Sequence, residues 1–382
     1  MNVRKRRILA GLTYVAAVAL LFEGVARILL AQSAFIDRIG SPFDEPSWRY
    51  RWLARSGSEP PNLALASDAP HPTRGWTLRA GLRGLPGPYG SRVSSNALGA
   101  RGAREIAGKR AHVTRVLALG DSFTFGQGVS DDEAYPALLE SRVPGIEVVN
   151  LGVHGYGHDQ MLITLREEGA RLLPDVVLLG YVTDDALRNL VGFRDYQKPR
   201  FRLEEGALVL MGTPVQTPDE SRARLRWRSR FFDLLVLARQ QISWKSGARQ
   251  REMEEVTLRL LDEILGTSRR MGATPVVVDL PILRELESKD PTPTAREALI
   301  ETHVRSRGAP YLNLRPRFLA ERRRGVASTV LPDGHWGPAE HRIAADGIAA
   351  WFVETGLVAR PSAPASAGPF VEARGQSVEK PR

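Results

Sequence analysis

The sequence predicts a three-layer α/β/α domain with a mostly parallel sheet, preceded by an N-terminal transmembrane helix. Two patterns carry that expectation. Short, continuously apolar runs alternate with longer amphipathic segments, as strands buried on both faces alternate with the helices that cover them. A basic cluster followed by an apolar stretch opens the chain, as a membrane anchor does. The 382 residues suit one large domain with additions, or two domains.

The anchor comes first. Arg4-Lys5-Arg6-Arg7 precedes the run from Ile8 to Phe22, softened only by Gly11, Thr13 and Tyr14; Glu23 and Arg27 follow, then Ile28 to Ala31. As one helix, residues 8–31 reach about 36 Å, enough for a hydrocarbon core of about 30 Å. Glu23 and Arg27 are spaced i,i+4 and can pair on one face near the far interface. The basic side predicts an inside N-terminus and an exported body. A cleaved signal peptide is the rival reading, with a poor small-residue site around Ala31-Gln32-Ser33. The run is apolar on all sides, which argues against a buried soluble helix.

Residues 32–111 are rich in Pro, Gly, Arg and Trp without sustained periodicity, and read as a stalk running into an irregular, partly β segment. The domain proper is expected over 112–358. Residues 115–119 read as a buried strand, 132–142 as a helix and Ile146 to Asn150 as a second strand. His158 to Leu172 reads as a helix, and Pro174 to Tyr181 as a third strand. Residues 190–250 break the alternation and read as an insertion. It holds a hairpin, Phe201–Leu210 around Glu205-Gly206, and an Arg-rich helical stretch with Phe231, Phe232 and Trp244. A helix over 251–271, a strand over Thr274–Leu280, a helix near 294–307 and a strand at 310–314 restore the pattern. Pro338 to Glu354 is the last helix, with Pro338 in its first turn. The tail 359–382 is rich in Pro, Ser, Ala and Gly and predicts disorder.

Composition excludes several classes. The net charge is +10, from 53 basic and 43 acidic residues, spread along the chain. No nucleic-acid signature accompanies it, so no nucleic-acid partner is expected. A basic balance fits residence near anionic lipid or polymer. The absence of cysteine rules out disulfides and thiolate metal sites, and is compatible with an oxidising compartment. His71, His112, His303 and His341 show no metal-ligand spacing, so neither a metal nor a cofactor is expected.

Active sites of open parallel sheets lie beyond the carboxyl ends of the strands. Three segments fall there: Gly120-Asp121-Ser122-Phe123-Thr124-Phe125-Gly126, Asn150-Leu151-Gly152-Val153-His154-Gly155-Tyr156-Gly157 and Tyr181-Val182-Thr183-Asp184-Asp185. A fourth, Pro332-Asp333-Gly334-His335-Trp336, precedes the last helix. A serine becomes a nucleophile only beside a base, with a third group holding that base in the right tautomer. Asp333 and His335, two apart, project to the same side of an extended segment. The carboxylate can then hold the imidazole while the other ring nitrogen faces Ser122.

In order, these four segments resemble the sequence blocks of the SGNH/GDSL hydrolase family over about residues 115–345, the insertion excepted. The resemblance implies an SGNH, flavodoxin-like fold. It also implies that Ser122 is the nucleophile and a backbone oxyanion donor, Gly155 a second donor, and Asp333 and His335 the rest of a triad. The Asp-x-His spacing is similar to the polysaccharide O-acetyltransferase branch, whereas many family esterases carry Asp-x-x-His. Val93-Ser94-Ser95-Asn96-Ala97-Leu98-Gly99 resembles the preamble of membrane-anchored bacterial members. Block three departs from the pattern. Asp184 stands where the family has an asparagine that supplies the third oxyanion donor. Asp184 can donate only if protonated; otherwise Thr183 or Asn189 substitutes, or activity is weak or absent. His154 and His158 flank Gly155 and are candidates for the pocket lining, or ordinary loop histidines. Trp336 is expected beside the catalytic loop, and Asp121 to order the nucleophile turn.

The expected function is a serine-dependent esterase or O-acyl(acetyl)transferase at the cell envelope. It would take an ester or acyl donor, with a glycan as candidate acceptor and the membrane as partner through residues 8–31. The expected location is a bacterial inner membrane, single-pass, with the domain on the periplasmic or extracellular side. The alternatives are a lipid esterase or thioesterase, and a catalytically inactive glycan-binding or scaffold protein.

Overall fold

Five apolar runs form the central sheet: β1 (Thr114–Leu119), β2 (Ile146–Asn150), β3 (Val176–Tyr181), β4 (Thr274–Asp279) and β5 (Tyr311–Asn313). A computed structural model describes residues 3–39, 44–54, 66–287 and 292–358 of the protein. The sheet order is β5-β4-β3-β1-β2, and every neighbouring pair is parallel. Alternate residues face opposite layers. Leu117, Leu119, Val177, Leu179 and Val277 pack with the helices His158–Leu172, Ala248–Arg270 and Ala295–Ser306. Val116, Ala118, Leu178, Val276 and Val278 pack with Tyr135–Arg142, Arg315–Arg323 and Pro338–Glu354. Both faces are covered, so the strands are centred on apolar runs, and the charged pair Arg115 and Glu147 buried within β1 and β2 meets at 2.7 Å. β1 lies between β2 and β3, which makes the crevice beyond its carboxyl end the topological switch point.

Most elements lie where the sequence predicts them. The helix expected from 132 begins at Tyr135 instead. Residues 130–133 form a turn in which the Glu133 carboxylate accepts the Ser130 N–H at 2.8 Å. The helix Arg315–Arg323 is absent from the sequence reading because it carries no apolar stripe; Phe318 is its only deeply buried apolar side chain.

Residues 32–111 depart from the expected stalk. They hold helices Ser33–Ile39 and Glu45–Ala54, and a hairpin that pairs Asp68–His71 with Gly75–Leu78. Trp52 and Trp76 are buried in the same core as one face of the sheet. Trp52 packs on Phe193 and Tyr196 of the insertion, each at 5.7 Å between ring centroids. Single large aromatics dock this segment, and they leave no period to read. Residues 55–65, and the tail expected to be disordered, lie outside the described residues.

The insertion contains the expected hairpin, Arg200–Glu204 with Ala207–Met211. Glu205 and Gly206 both have positive φ (52° and 81°), the geometry of a type I′ turn. Two helices follow, Pro218–Arg226 and Arg230–Lys245. Fully buried Lys198 pins the insertion to the domain. Its ammonium pairs with Asp159 and donates to the carbonyls of Arg188, Val191 and Pro199. At the N-terminus, Val3–Leu30 is one helix long and apolar enough to cross a membrane. Within it Glu23 and Arg27 pair at 2.9 Å.

Candidate active site

β1 ends one residue before Gly120, and the short helix Ser122–Phe125 starts immediately after Asp121. Asp121 caps that helix, its carboxylate accepting the Phe123 N–H at 2.9 Å. Gly126, at φ +82°, closes it with an N–H to the Ser122 carbonyl at 2.9 Å. Asn150 at the end of β2 donates to the Thr124 carbonyl at 2.9 Å. Gly152 is needed for this approach: a Cβ there would lie 2.7 Å from the Thr124 carbonyl carbon. The guanidinium of Arg101 stacks on the Phe125 ring at 4.5 Å and donates to the carbonyls of Gly126 and Val129, both at 2.6 Å. The segment after the Val93–Gly99 preamble thus ties off the far end of the nucleophile turn.

Ser122 is 4% exposed, and its Oγ lies 2.9 Å from His335 Nε2. His335 Nδ1 lies 3.1 Å from Asp333 Oδ1, close enough for charge pairing but not aligned as a hydrogen bond. The same carboxylate oxygen accepts the His335 backbone N–H at 3.2 Å. Burial works against the charge on Asp333, but His335 and Gln127 outweigh it and hold the carboxyl below its ordinary range. The ring of Phe123 packs on His335 at 5.3 Å. Trp336, buried beneath, packs edge-on to Phe123 at 5.2 Å and donates to the Pro281 carbonyl at 3.0 Å. The loop is also held from the helix Pro338–Glu354. The buried carboxylate of Glu340 accepts from Ser328 and Thr329, and Thr329 Oγ1 accepts the Ala339 N–H at 2.9 Å.

Gly155 has φ +72°. A side chain there would collide with the Arg194 guanidinium and lie 3.1 Å from Asp195 Oδ2. Glycine is therefore required by the insertion as well as by any approaching substrate. Among the described residues, neither the Ser122 nor the Gly155 N–H donates a hydrogen bond. Asp184 turns its carboxylate to Arg284, with Nη1 to Oδ2 at 3.3 Å and a closer second contact. Its side chain is 33% exposed.

A charged cluster backs the nucleophile. Arg188 Nη1 donates to Asp121 Oδ2 at 3.0 Å, to the Tyr156 carbonyl at 2.8 Å and to Asp185. Ser122 Oγ stands 3.3 Å from the same Asp121 oxygen. Burial, then the neighbouring Asp121 charge, pushes the Asp185 carboxyl well above its usual range against the pull of Arg188. Arg194, beside Gly155, pairs with Asp195 and lies over the Trp48 ring at 5.0 Å.

Residues 118–343 match the GDSL-like lipase/acylhydrolase family, well over half of the chain. The chain belongs to this family. No curated protein matches it. The similar solved structures include a member of the lipolytic G-D-S-L family from Veillonella parvula, 11% identical with a TM-score of 0.39, over 64% of this chain and 99% of that one. A GDSL-like lipase from Bacteroides thetaiotaomicron is 14% identical with a TM-score of 0.37, over 66% and 93%. An acetyl xylan esterase is 12% identical with a TM-score of 0.40, over 63% and 100%.

For this GDSL-like chain, the structure brings Ser122, Asp333 and His335 together, with Gly155 on the neighbouring loop. Asp184 is drawn to Arg284 instead. Asn189 is also committed elsewhere: its amide donates to Thr257 Oγ1 at 2.9 Å and faces His158 Nδ1 at 3.2 Å. The flanking histidines are not open to a ligand. His154 pairs with Asp68 at 3.2 Å and packs on Trp76, while His158 stacks on Tyr181. Burial lowers the His158 pKa to about 3, so its ring is neutral. Sequence reasoning missed Arg101, Arg188 and Arg194. Arg188, four residues after Asp184, and Arg101, two after the Val93–Gly99 preamble, each follow a recognised segment, whereas Arg194 acts from a segment without periodicity.

Proposed function

We propose that the protein is a serine-dependent ester hydrolase or O-acyltransferase of the cell envelope, acting through Ser122, His335 and Asp333. The observation that carries this reading is the 2.9 Å approach of His335 Nε2 to Ser122 Oγ. That is the distance at which a general base takes a hydroxyl proton. His335 accepts the Ser122 proton as Oγ attacks the ester carbonyl carbon. The tetrahedral oxyanion is held by the free N–H groups of Ser122 and Gly155. Asp333 stabilises the imidazolium, which then protonates the departing alkoxide. The acyl-serine is resolved when His335 activates water, giving hydrolysis, or a hydroxyl of an acceptor such as a glycan, giving transfer.

The third donor of the usual hole is absent at Asp184, whose carboxylate accepts from Arg284. Arg194 of the insertion, paired with Asp195, lines the Gly155 side of the site. The basic N-terminus and apolar helix support an anchor that places the domain on the far side of the membrane.

The test is turnover of an aryl acetate by the detergent-solubilised full chain, with and without an added glycan acceptor. Ser122→Ala is expected to abolish both hydrolysis and transfer. Full turnover by Ser122→Ala would overturn the proposal.

A further inference from the structure

The insertion reaches two places at once. Arg194 stands at the candidate site, and the helix Arg230–Lys245 packs along the end of the apolar helix Val3–Leu30. The joint is specific. Glu23 accepts the N–H groups of Arg230 and Phe231, both at 3.0 Å, and the Ser229 hydroxyl at 2.8 Å. An acidic residue inside an apolar span thereby caps a second helix. The Phe22 and Phe231 rings pack, tilted, at 5.3 Å between centroids, and further along Leu30 and Leu237 share a small core with Ile36 and Tyr50. The two helices therefore run side by side in the same direction, residue 230 beside 23 and 237 beside 30.

That register fixes a depth. About 20 residues at 1.5 Å each cross a hydrocarbon core of about 30 Å. A span beginning at Ile8 thus ends near Ile28, and Glu23 lies about 7 Å inside that boundary. The start of the helix Arg230–Lys245 lies at the same level. Its outward side chains suit that depth. Trp227, just before the helix, is 84% exposed, and Phe232 and Leu235 on it are 57% and 50% exposed among the described residues; Ile242, 68% exposed, lies further along the helix, outside that boundary. Arg226, Arg228 and Arg230 flank the first three of these, the Trp-and-Arg composition of a membrane–water interface. Beside this corner a cavity of about 600 Å³ is lined by Arg27, Arg51 and Arg230 with Leu30, Ile36 and Leu53. Asp37 also lines it and pairs with Arg51 at 3.2 Å, and Arg27 pairs with Glu23, so Arg230 is the guanidinium best placed for an anionic headgroup beside the apolar lining.

We infer that the Trp227–Leu235 corner is a lipid-binding surface that inserts into the leaflet on the domain's side of the membrane. It rests on the reading of Val3–Leu30 as a membrane anchor. The occupant is the bilayer that the anchor crosses, because the corner is continuous with the anchor. Two points of fixation then hold the domain, where a single helix would leave it free to swing.

The chain has no cysteine, so one introduced cysteine is a unique label. The full-length variants Leu20→Cys, Trp227→Cys, Phe232→Cys and Val326→Cys are labelled with an environment-sensitive fluorophore. They are reconstituted in phosphatidylglycerol-containing vesicles that carry a nitroxide lipid. Val326, 40% exposed on the other side of the sheet, reports on solvent. The expected result is blue-shifted emission and strong nitroxide quenching at 20, 227 and 232, and neither at 326. Quenching at 20 with none at 227 and 232 would overturn the inference and leave the anchor standing. No quenching at 20 would remove the anchor and the inference with it.

Discussion

Asp184→Asn separates two accounts of the oxyanion hole. Asparagine is the residue the family resemblance expects there, so the variant offers an amide donor where the protein has a carboxylate. If the Asp184 side chain faced the developing oxyanion, the exchange would add a donor and remove a repulsive charge. Single donors of this kind are worth about 10²–10³ in rate. The structure points to a smaller effect. The carboxylate is bound by Arg284, and the two side chains are 33% and 61% exposed. Exposed pairs of this kind contribute about 0–1 kcal/mol. An amide can still accept from Arg284, so the pair weakens without reorganising the loop. The account predicts kcat within about fivefold of wild type, the rate equivalent of about 1 kcal/mol. The assay is steady-state hydrolysis of an aryl acetate by both proteins, with fluorescence-monitored unfolding to check stability. A rise in kcat of about 10² or more would place the side chain in the hole and refute the reasoning.

Asp333→Asn removes the charge beside His335 Nδ1 and should lower kcat by about 10²–10⁴ with little change in KM; unchanged turnover on the aryl ester would exclude Asp333 from the triad. Gly155→Ala forces a side chain into a left-handed backbone position and against Arg194. Strain of about 1–2 kcal/mol is expected, seen as a lower Tm together with at least a tenfold or so fall in kcat. An alanine variant with wild-type Tm and kcat would show that the loop adopts another conformation. Asp279 sits buried at the end of β4, where burial first, then Glu285, Glu297 and Glu301, raise its pKa to about 8 against the hydrogen bond from Tyr311. The folded state holds this proton while the unfolded chain releases it near pH 4, so stability falls as pH rises between those values. The loss is up to about 1.4 kcal/mol per pH unit. Asp279→Asn should flatten that slope in urea unfolding between pH 5 and 7, and parallel slopes for the two proteins would contradict the shift.

The fold was legible because the sheet is buried on both faces. β2 matches its predicted bounds, and β1, β3 and β4 differ by no more than two residues, since each is centred on a short apolar run. The nucleophile turn was legible through its resemblance to a family block, and the structure adds backbone reasons at Asp121, which caps it, and Gly126, which closes it. What escaped the reading acts across long separations. Trp52 and Trp76 enter the core from a short helix and a hairpin strand that show no sustained periodicity, and Arg194 reaches Gly155 from the insertion. Asp184 was identified by its place in the sequence, but its partner Arg284 lies 100 residues away and no spacing rule connects them. Glu23 illustrates the same limit. Its pairing with Arg27 follows from helical spacing, whereas its capping of the helix at Arg230 depends on the packing of the insertion.

The central claim is that Ser122 is an activated nucleophile, and a fluorophosphonate probe tests it most directly. The probe phosphonylates a serine only where a base removes its proton and an oxyanion hole receives the charge. The account predicts rapid labelling of the full-length protein, with the adduct mapped by mass spectrometry to the peptide containing Ser122. It also predicts loss of the adduct in Ser122→Ala and strongly slowed labelling in His335→Ala. Absence of labelling in the folded wild-type protein, or an equal rate in His335→Ala, would contradict it.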